Sequence, residues 1–181
     1  YITRLIDEVA RLEKLLTSMR EFSRHDTLRM SDVDLARLLE GFENLVENEC
    51  RETGMQLTID VSDDGRWVKA DQKALEQIIH NLWRNAVQAQ DGESGHVVIR
   101  ARAGQRTGTV KLEVQDDGQG IPLPELPMIF KPMFTTKTEG SGLGLALVDR
   151  LVRRMGGSVS VSSEPNQYTR FDITLRTPKG R

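Results

Sequence analysis

The chain has 181 residues, 38% of them hydrophobic, with 25 basic against 27 acidic side chains and a formal charge of −2. That length buries one good core plus a helical appendage, and the charge balance leaves no basic footprint of the kind nucleic acid or an anionic membrane demands. A lone cysteine, Cys50, excludes an internal disulfide and reads as a small, half-buried or buried thiol. No apolar run approaches the roughly 18 residues of a membrane span and no charged-then-apolar leader opens the chain. A soluble chain in a reducing, cytoplasmic setting is expected, with no direct membrane insertion, which leaves room for a membrane-anchored parent protein.

Ile2, Leu5, Val9, Leu12, Leu16 and Met19 fall on a and d positions of consecutive heptads, widened by Ile6, Leu15 and Phe22. The pattern starts with no capping residue before it, as expected of a fragment that begins mid-helix. Such a stripe needs a partner, so a dimerisation or bundle helix is expected over 1–25. A polar Ser-Arg-His-Asp-Thr stretch at 23–27 separates it from the rest of the chain.

A short strand at 29–33 and a helix at 34–53 come next, with Leu35, Leu38, Leu39, Phe42, Leu45 and Val46 as the helix's core face and Gly54 as its C-cap. Gln56 to Val61 alternates as a strand, Asp63-Asp-Gly65 turns the chain, and 67–70 is expected to return as its hairpin partner. Asp71 caps a long helix that reaches about residue 90. Segments 96–104 and 109–116 alternate as a second hairpin, with Val97, Ile99, Ala101, Val110, Leu112 and Val114 pointing inward. A polar, proline-containing loop covers 117–142, a helix runs over 143–155 to Gly156-Gly157, and strands at 158–163 and 169–176 finish a sheet. Helices with mostly antiparallel strands place the chain in the α+β class.

Two glycine clusters carry the chemistry. Asp116, Gly118 and Gly120 form an Asp-x-Gly-x-Gly turn, and Gly140-Ser-Gly-Leu-Gly-Leu145 precedes the 143–155 helix, whose N-terminus offers unpaired N–H groups to phosphates. Asp116 shares strand parity with Val110, Leu112 and Val114, so its carboxylate points into the apolar layer, where it can select the exocyclic amine of adenine over the carbonyl of guanine. Gly118 and Gly120 permit positive φ and close approach of backbone to a flat base. Asn81 and Asn85 lie one helical turn apart beside Ile78 and Leu82. A neutral amide oxygen suits Mg²⁺ bridging substrate phosphates, which makes Asn85 the metal-ligand candidate. Between the clusters, Phe130, Met133 and Phe134 read as hydrophobic anchors of a lid, with Thr135-Thr-Lys137 beyond them and Lys137 able to reach a phosphate as a point charge. No Gly-x-x-x-x-Gly-Lys-Ser/Thr sequence occurs, which excludes a Walker-type loop.

In this order the motifs resemble the ATP-binding catalytic domain of two-component sensor histidine kinases, in the superfamily that also holds gyrase, chaperone and mismatch-repair ATPases. His80-Asn-Leu-Trp-Arg-Asn-Ala-Val-Gln-Ala89 is similar to the N box, Asp116-Asp-Gly-Gln-Gly-Ile121 to the G1 box, Phe130-Lys-Pro-Met-Phe-Thr-Thr-Lys137 to the F box and Gly140 to Leu145 to the G2 box. The resemblance implies a Bergerat-type α/β sandwich that binds ATP and Mg²⁺. It implies catalytic roles for Asn81, Asn85 and Lys137, and nucleotide contacts from Ile121, Phe130, Phe134, Thr136, Ser141, Leu143 and Leu145 besides the aspartate and glycines. Thr169 matches a position that helps hold the adenine edge. The first helix, ending in Phe-Ser-Arg at 22–24, resembles the second helix of a dimerisation and phosphotransfer domain, which divides the chain into 1–26, a linker with a short strand at 27–34, and a catalytic domain at 35–178.

The departures from the family pattern bear on mechanism. The helix that carries the acceptor histidine is not among these residues, and His25, His80 and His96 are not assigned as acceptors. Asn81 stands where related ATPases place a glutamate that activates water, so slow hydrolysis is expected. Gln88 replaces a basic residue common in relatives, and Met133 a common Phe. The expected activity is transfer of the γ-phosphoryl of ATP to a histidine of the dimerisation domain, for relay to a response-regulator receiver domain, in a protein that is a homodimer through its bundle helix. The alternatives are an ATPase whose lid closure drives dimerisation, a nucleotide-sensing or scaffold module in which no phosphoryl moves, and a protein serine kinase of the same superfamily.

Overall fold

The computed structural model describes residues 27–90, 92, 94–137 and 140–179, together with Val9, Glu13, Leu16, Thr17, Met19 and Arg20. The expected bundle helix otherwise lies outside the described residues, as does His25. The six described positions before residue 27 are helical, and Val9, Leu16 and Met19 expose 54%, 66% and 52% of their surface.

Strand β1 (Ser31–Asp34) leads into helix α1 (Leu35–Thr53). Asp34 is the N-cap, its carboxylate accepting from the N–H groups of Ala36 and Arg37, and Gly54 closes the helix in the left-handed conformation at φ 73°. Leu35, Leu38, Leu39, Phe42 and Val46 are buried, whereas Leu45 is 64% exposed, against expectation. At 100° per residue, Leu45 lies roughly 80° from the centre of the buried stripe, beyond what one face of a two-layer fold covers.

Strand β2 (Gln56–Val61), a single 3-10 turn (Asp63–Gly65) and strand β3 (Trp67–Ala70) come after α1. The expected β2–β3 hairpin does not form. β3 pairs antiparallel with β1, from Ser31↔Ala70 to Asp34↔Trp67, while β2 runs parallel to strand β4 (His96–Ala103) from Gln56↔His96 to Val61↔Ala101. Arg66, next to the turn, explains the choice: its guanidinium makes a bidentate contact with Asp34, and its carbonyl accepts from the N–H of Leu35. That clamp holds β3 against the start of α1, and Gly65 packs so close to the Ala101–Arg102 backbone that a Cβ there would lie 2.4 Å from the Arg102 nitrogen.

Helix α2 (Gln72–Ala89) is capped by Asp71, whose Oδ1 accepts from Ala74 N–H at 2.9 Å while Oδ2 accepts from Arg29 N–H at 2.6 Å. After β4 come β5 (Thr109–Asp116), helix α3 (Gly144–Arg154), β6 (Ser158–Glu164) and β7 (Tyr168–Arg176). The main sheet has the order β2-β4-β5-β7-β6 and is antiparallel except for β2–β4. Period-2 alternation sends Val97, Ile99, Ala101, Val110, Leu112, Val114, Phe171, Ile173 and Leu175 inward, against Leu75, Ile78, Leu82, Val148 and Val152 of the helices. The opposite face is a ladder of ions in which Arg100 pairs with Glu113, and Lys111 with Glu113 and Asp172. The result is the expected α+β sandwich, with one apolar layer between sheet and helices and a cleft at the end where β5 and β7 meet α2 and α3. Among the described residues no helix is long and apolar enough to cross a membrane.

Candidate functional site

The cleft has a volume of about 630 Å³. Its floor is Asp116, the last residue of β5, and Thr169, its register partner on β7, both buried. Asp116 points inward as its parity predicts. Its Oδ1 accepts from Gly118 N–H at 3.0 Å. Burial pushes the carboxyl up to about 6, against the pull of that N–H and with the nearby Asp117 charge adding to the rise; the Lys137 ammonium opposes it. The hydroxyls of Thr169 and Ser163 lie 3.2 Å apart, and Ser163 donates to Tyr168 O and accepts from Ile121 N–H at 2.8 Å. Ser163 thereby fixes Ile121 at the cleft wall, a role that its place in an ordinary serine-rich strand does not announce.

The two glycines of the Asp-x-Gly-x-Gly turn are needed by the protein itself. Gly120 has φ 69°, and a Cβ on it would lie 2.3 Å from Glu164 O. Gly118 has no left-handed φ and does not line the cleft; a Cβ there would meet that of Ala89 at 2.7 Å. Gln119 N–H donates to Ala89 O at 3.1 Å and Gln119 O accepts from Asn166 N–H at 2.7 Å. The turn is thus wedged between the end of α2 and the β6–β7 turn, so the expectation that Gly118 opens the backbone to a base is corrected to one of helix packing. Pro165 and Asn166 of that turn line the cleft, as does Glu125, and none of them belongs to a motif legible in the sequence.

At the other end, α2 presents Asn81, Arg84, Asn85 and Gln88, which at 100° per residue share an arc of about 100°. Asn81 Nδ2 donates to Gln77 O at 2.8 Å, and its Oδ1 would lie 2.9 Å from a Cβ on Gly144. That contact brings the N-terminus of α3 against α2. Leu143 is the N-cap and supplies no side-chain hydrogen bond, so the first N–H groups of α3 have no side-chain cap. Ser141 Oγ accepts from Leu143 N–H at 3.3 Å and shapes the loop just before it. Gly140, Ser141, Gly142, Leu143, Gly144 and Leu145 all line the cleft, as the spacing of the second glycine cluster predicts.

The loop between the clusters is docked. Met133 N–H donates to Gly142 O at 2.9 Å, both residues having left-handed φ, 65° and 66°, and a Cβ on Gly142 would lie 2.5 Å from the Met133 carbonyl carbon. Met133 anchors by backbone alone; its side chain is 71% exposed, contrary to its reading as a hydrophobic anchor. Phe134 and Thr136 line the cleft, whereas Phe130 does not: it meets Phe171 edge-on with ring centres 6.3 Å apart, pinning the loop to the core. Lys137 turns inward, its Nζ donating to Asn85 O at 3.4 Å and Gln88 Oε1 at 3.2 Å. Burial lowers its pKa; Asp116 opposes the fall and the Arg84 charge adds to it.

Among the described residues no three His, Cys, Asp or Glu side chains converge on a point, so a cage of protein ligands is not built. A cation held largely by phosphates and water needs only one or two protein oxygens. Asn85 suits that role by position, because it lines the cleft and its Oδ1 is an amide oxygen of the kind such a cation takes; its buried Nδ2, a donor, has no partner among the described residues.

Comparison with known proteins agrees with this geometry. Residues 70–179 match the family model described as histidine kinase-, DNA gyrase B-, and HSP90-like ATPase. The sensor histidine kinase ZraS of Escherichia coli (strain K12) is 34% identical over 179 residues, which covers 96% of this chain and 38% of that protein. Among solved structures, full-length ShkA in complex with AMPPNP superposes with a TM-score of 0.81 at 30% identity, over 98% of this chain and 39% of that one. Histidine kinase ThkA in complex with the response regulator protein TrrA gives 0.79 at 26% identity, over 100% and 52%. This chain therefore spans well under half the length of the curated relative it matches. It belongs to the histidine kinase-, DNA gyrase B- and HSP90-like ATPase family, on the branch formed by the ATP-binding catalytic domains of sensor histidine kinases.

Proposed function

We propose that this chain holds Mg²⁺-ATP in the cleft and presents its γ-phosphoryl in line to a histidine Nε2 on the dimerisation domain of a sensor histidine kinase. The bond between the γ-phosphorus and the β–γ bridging oxygen breaks as the N–P bond forms, ADP leaves, and the phosphoryl then passes to a receiver domain. The observation that carries this reading is the Asp116–Thr169 pair, a buried acceptor and hydroxyl at one end of a cleft whose other end has a helix N-terminus without a side-chain cap.

Adenine would lie between Ile121, Phe134 and Leu145, its exocyclic amine on Asp116 and its edge near Thr169. The loop amides from Gly140 to Gly144, with Lys137, would face the phosphates. Asn85 would take the Mg²⁺, which when bound spreads the charge of the β- and γ-phosphoryl groups. Asn81 is spoken for at Nδ2 by Gln77 and is no base, which favours transfer over hydrolysis. The chain's own contribution is then positioning and charge stabilisation. The ShkA complex with AMPPNP and the ThkA complex with TrrA support a nucleotide as ligand and a response regulator as partner. A homodimer formed through the first helix, with the domain limits 1–26, 27–34 and 35–178, completes the proposal.

Calorimetric titration with Mg²⁺-ATP and Mg²⁺-GTP, repeated on Asp116→Asn, tests the cleft. Binding of ATP alone, abolished by the substitution, is expected, followed by labelling of an added histidine-bearing dimerisation domain from γ-labelled ATP. A folded chain that binds neither nucleotide sinks the reading.

A further inference from the structure

Two cations line the cleft, one on α2 and one reaching α2 from the loop between the glycine clusters. Among the described lining residues these are Arg84 and Lys137. Lys137 Nζ is held by Asn85 O and Gln88 Oε1 and is close enough to feel the Asp116 charge. It belongs to the half of the cleft nearer Ala89, where the Asp116–Gly118 turn packs on α2.

Arg84 belongs to the other half. It is three residues from Asn81, about 4.5 Å along the helix axis, and five from Ala89, about 7.5 Å. Asn81 Oδ1 is where α3 comes against α2, at Gly144. Helical side chains lean toward their own N-terminus, which carries the guanidinium further toward Gly144 and the first N–H groups of α3. Arg84 is exposed, and no hydrogen bond or ion pair ties it to another described residue. Its charge nevertheless reaches Lys137 and helps depress that ammonium. Two cations facing one cleft repel unless an anion lies between them. A chain of phosphates running from the Lys137 half toward Gly144 is such an anion, and its far end lies on the Arg84 side.

On the nucleotide reading above, we propose that Arg84 grips the terminal phosphoryl of a nucleoside triphosphate and sets the preference of this site for triphosphate over diphosphate. A guanidinium fork matches two oxygens of a terminal phosphoryl group, whereas a diphosphate ends short of it. The residue is exposed and has no hydrogen bond or ion pair to another described residue that its loss would break, so a change in selectivity is separable from a change in structure.

The test is calorimetric titration with Mg²⁺-ATP and Mg²⁺-ADP of the unmodified chain, Arg84→Lys and Arg84→Gln, with near-ultraviolet circular dichroism checking the packing around Trp83. Arg84→Gln is expected to weaken ATP by about tenfold while ADP changes by less than about twofold, with Arg84→Lys between the two for ATP and flat for ADP. Affinities for ATP and ADP that fall together, or an ATP affinity that does not fall, overturn the assignment. An unmodified chain that binds neither nucleotide overturns the parent reading instead, and that result appears before any substitution is made.

Discussion

Asp116 and Thr169 face each other across β5 and β7, and among the described residues they are the only polar side chains that the fold buries. Burying a carboxylate away from water is unfavourable unless something compensates. Here the Gly118 backbone N–H donates to the carboxylate, yet its pKa still rises to about 6. The fold tolerates a local cost at the spot where a purine amine would meet it.

That cost gives a stability test without ligand. The folded-state pKa of Asp116, about 6, lies above its ordinary value of 3.8, so its contribution to stability is fully present below 3.8 and lost as pH rises through about 6. Asp116→Asn, which keeps an acceptor for Gly118 N–H, is expected to be more stable than the parent at pH 8, by up to about 3 kcal/mol, the equivalent of roughly two pKa units. The advantage should fade toward pH 4. Urea unfolding across this range measures it, and a gain that grows on acidification would contradict the burial argument.

The same group makes nucleotide binding release protons. A carboxylate accepting from an amine is held in its charged form, so ATP binding near pH 6 is expected to expel a fraction of a proton from Asp116 beyond that from the nucleotide itself. Calorimetric titrations in buffers of different ionisation enthalpy report the number, once the nucleotide's own protonation has been measured without protein and subtracted. Absence of any excess at pH 6 would remove Asp116 from the base-binding end.

Gly142 is a place where a methyl group acts on the loop and leaves the core alone. Its φ is 66°, and a Cβ would approach the Met133 carbonyl carbon to 2.5 Å. Gly142→Ala should undock the 117–142 loop and weaken ATP binding by about tenfold, a penalty in line with the roughly 1–3 kcal/mol of local backbone strain. Global unfolding should shift far less, because the core layer is untouched. Proteolysis of the loop, faster in the variant, gives an independent readout.

Asp34 joins three elements at once, as N-cap of α1, C-terminal residue of β1 and partner of Arg66 beside β3. The Arg66 guanidinium and the capping N–H groups hold its carboxyl below the usual value. Its contribution is therefore present above the ordinary value of 3.8 and lost as pH falls through the lowered folded-state pKa. Asp34→Ala should cost about 1–2 kcal/mol at neutral pH, mostly as a lost cap, and the difference should shrink in acid. Equal stability of the two proteins at neutral pH, measured by urea unfolding, would show that the cap and clamp contribute nothing.

Much of this protein is local, and the local part is legible in the chain itself. Val110, Leu112, Val114 and Asp116 share a face because a strand has a period of two, Asp34 and Asp71 cap helices because their carboxylates reach the next turn's N–H groups, and Gly54 ends a helix because it has no Cβ. Those rules act within a few residues, so most of the described elements, the inward strand positions and the glycine clusters follow from spacing alone, whereas the exposure of Leu45 on α1 does not. Tertiary structure decided what spacing cannot carry: which strand β3 would join, that Gly118 serves Ala89, that Phe130 holds Phe171 while Met133 anchors only by its backbone, and that Arg84 shares a cleft with Lys137. Each of these depends on a partner far along the chain or on a competition between two available surfaces, except Met133, whose partner Gly142 is reached by the fold of its own loop. Long-range pairing of that kind is settled by how whole elements pack, and no periodicity records it.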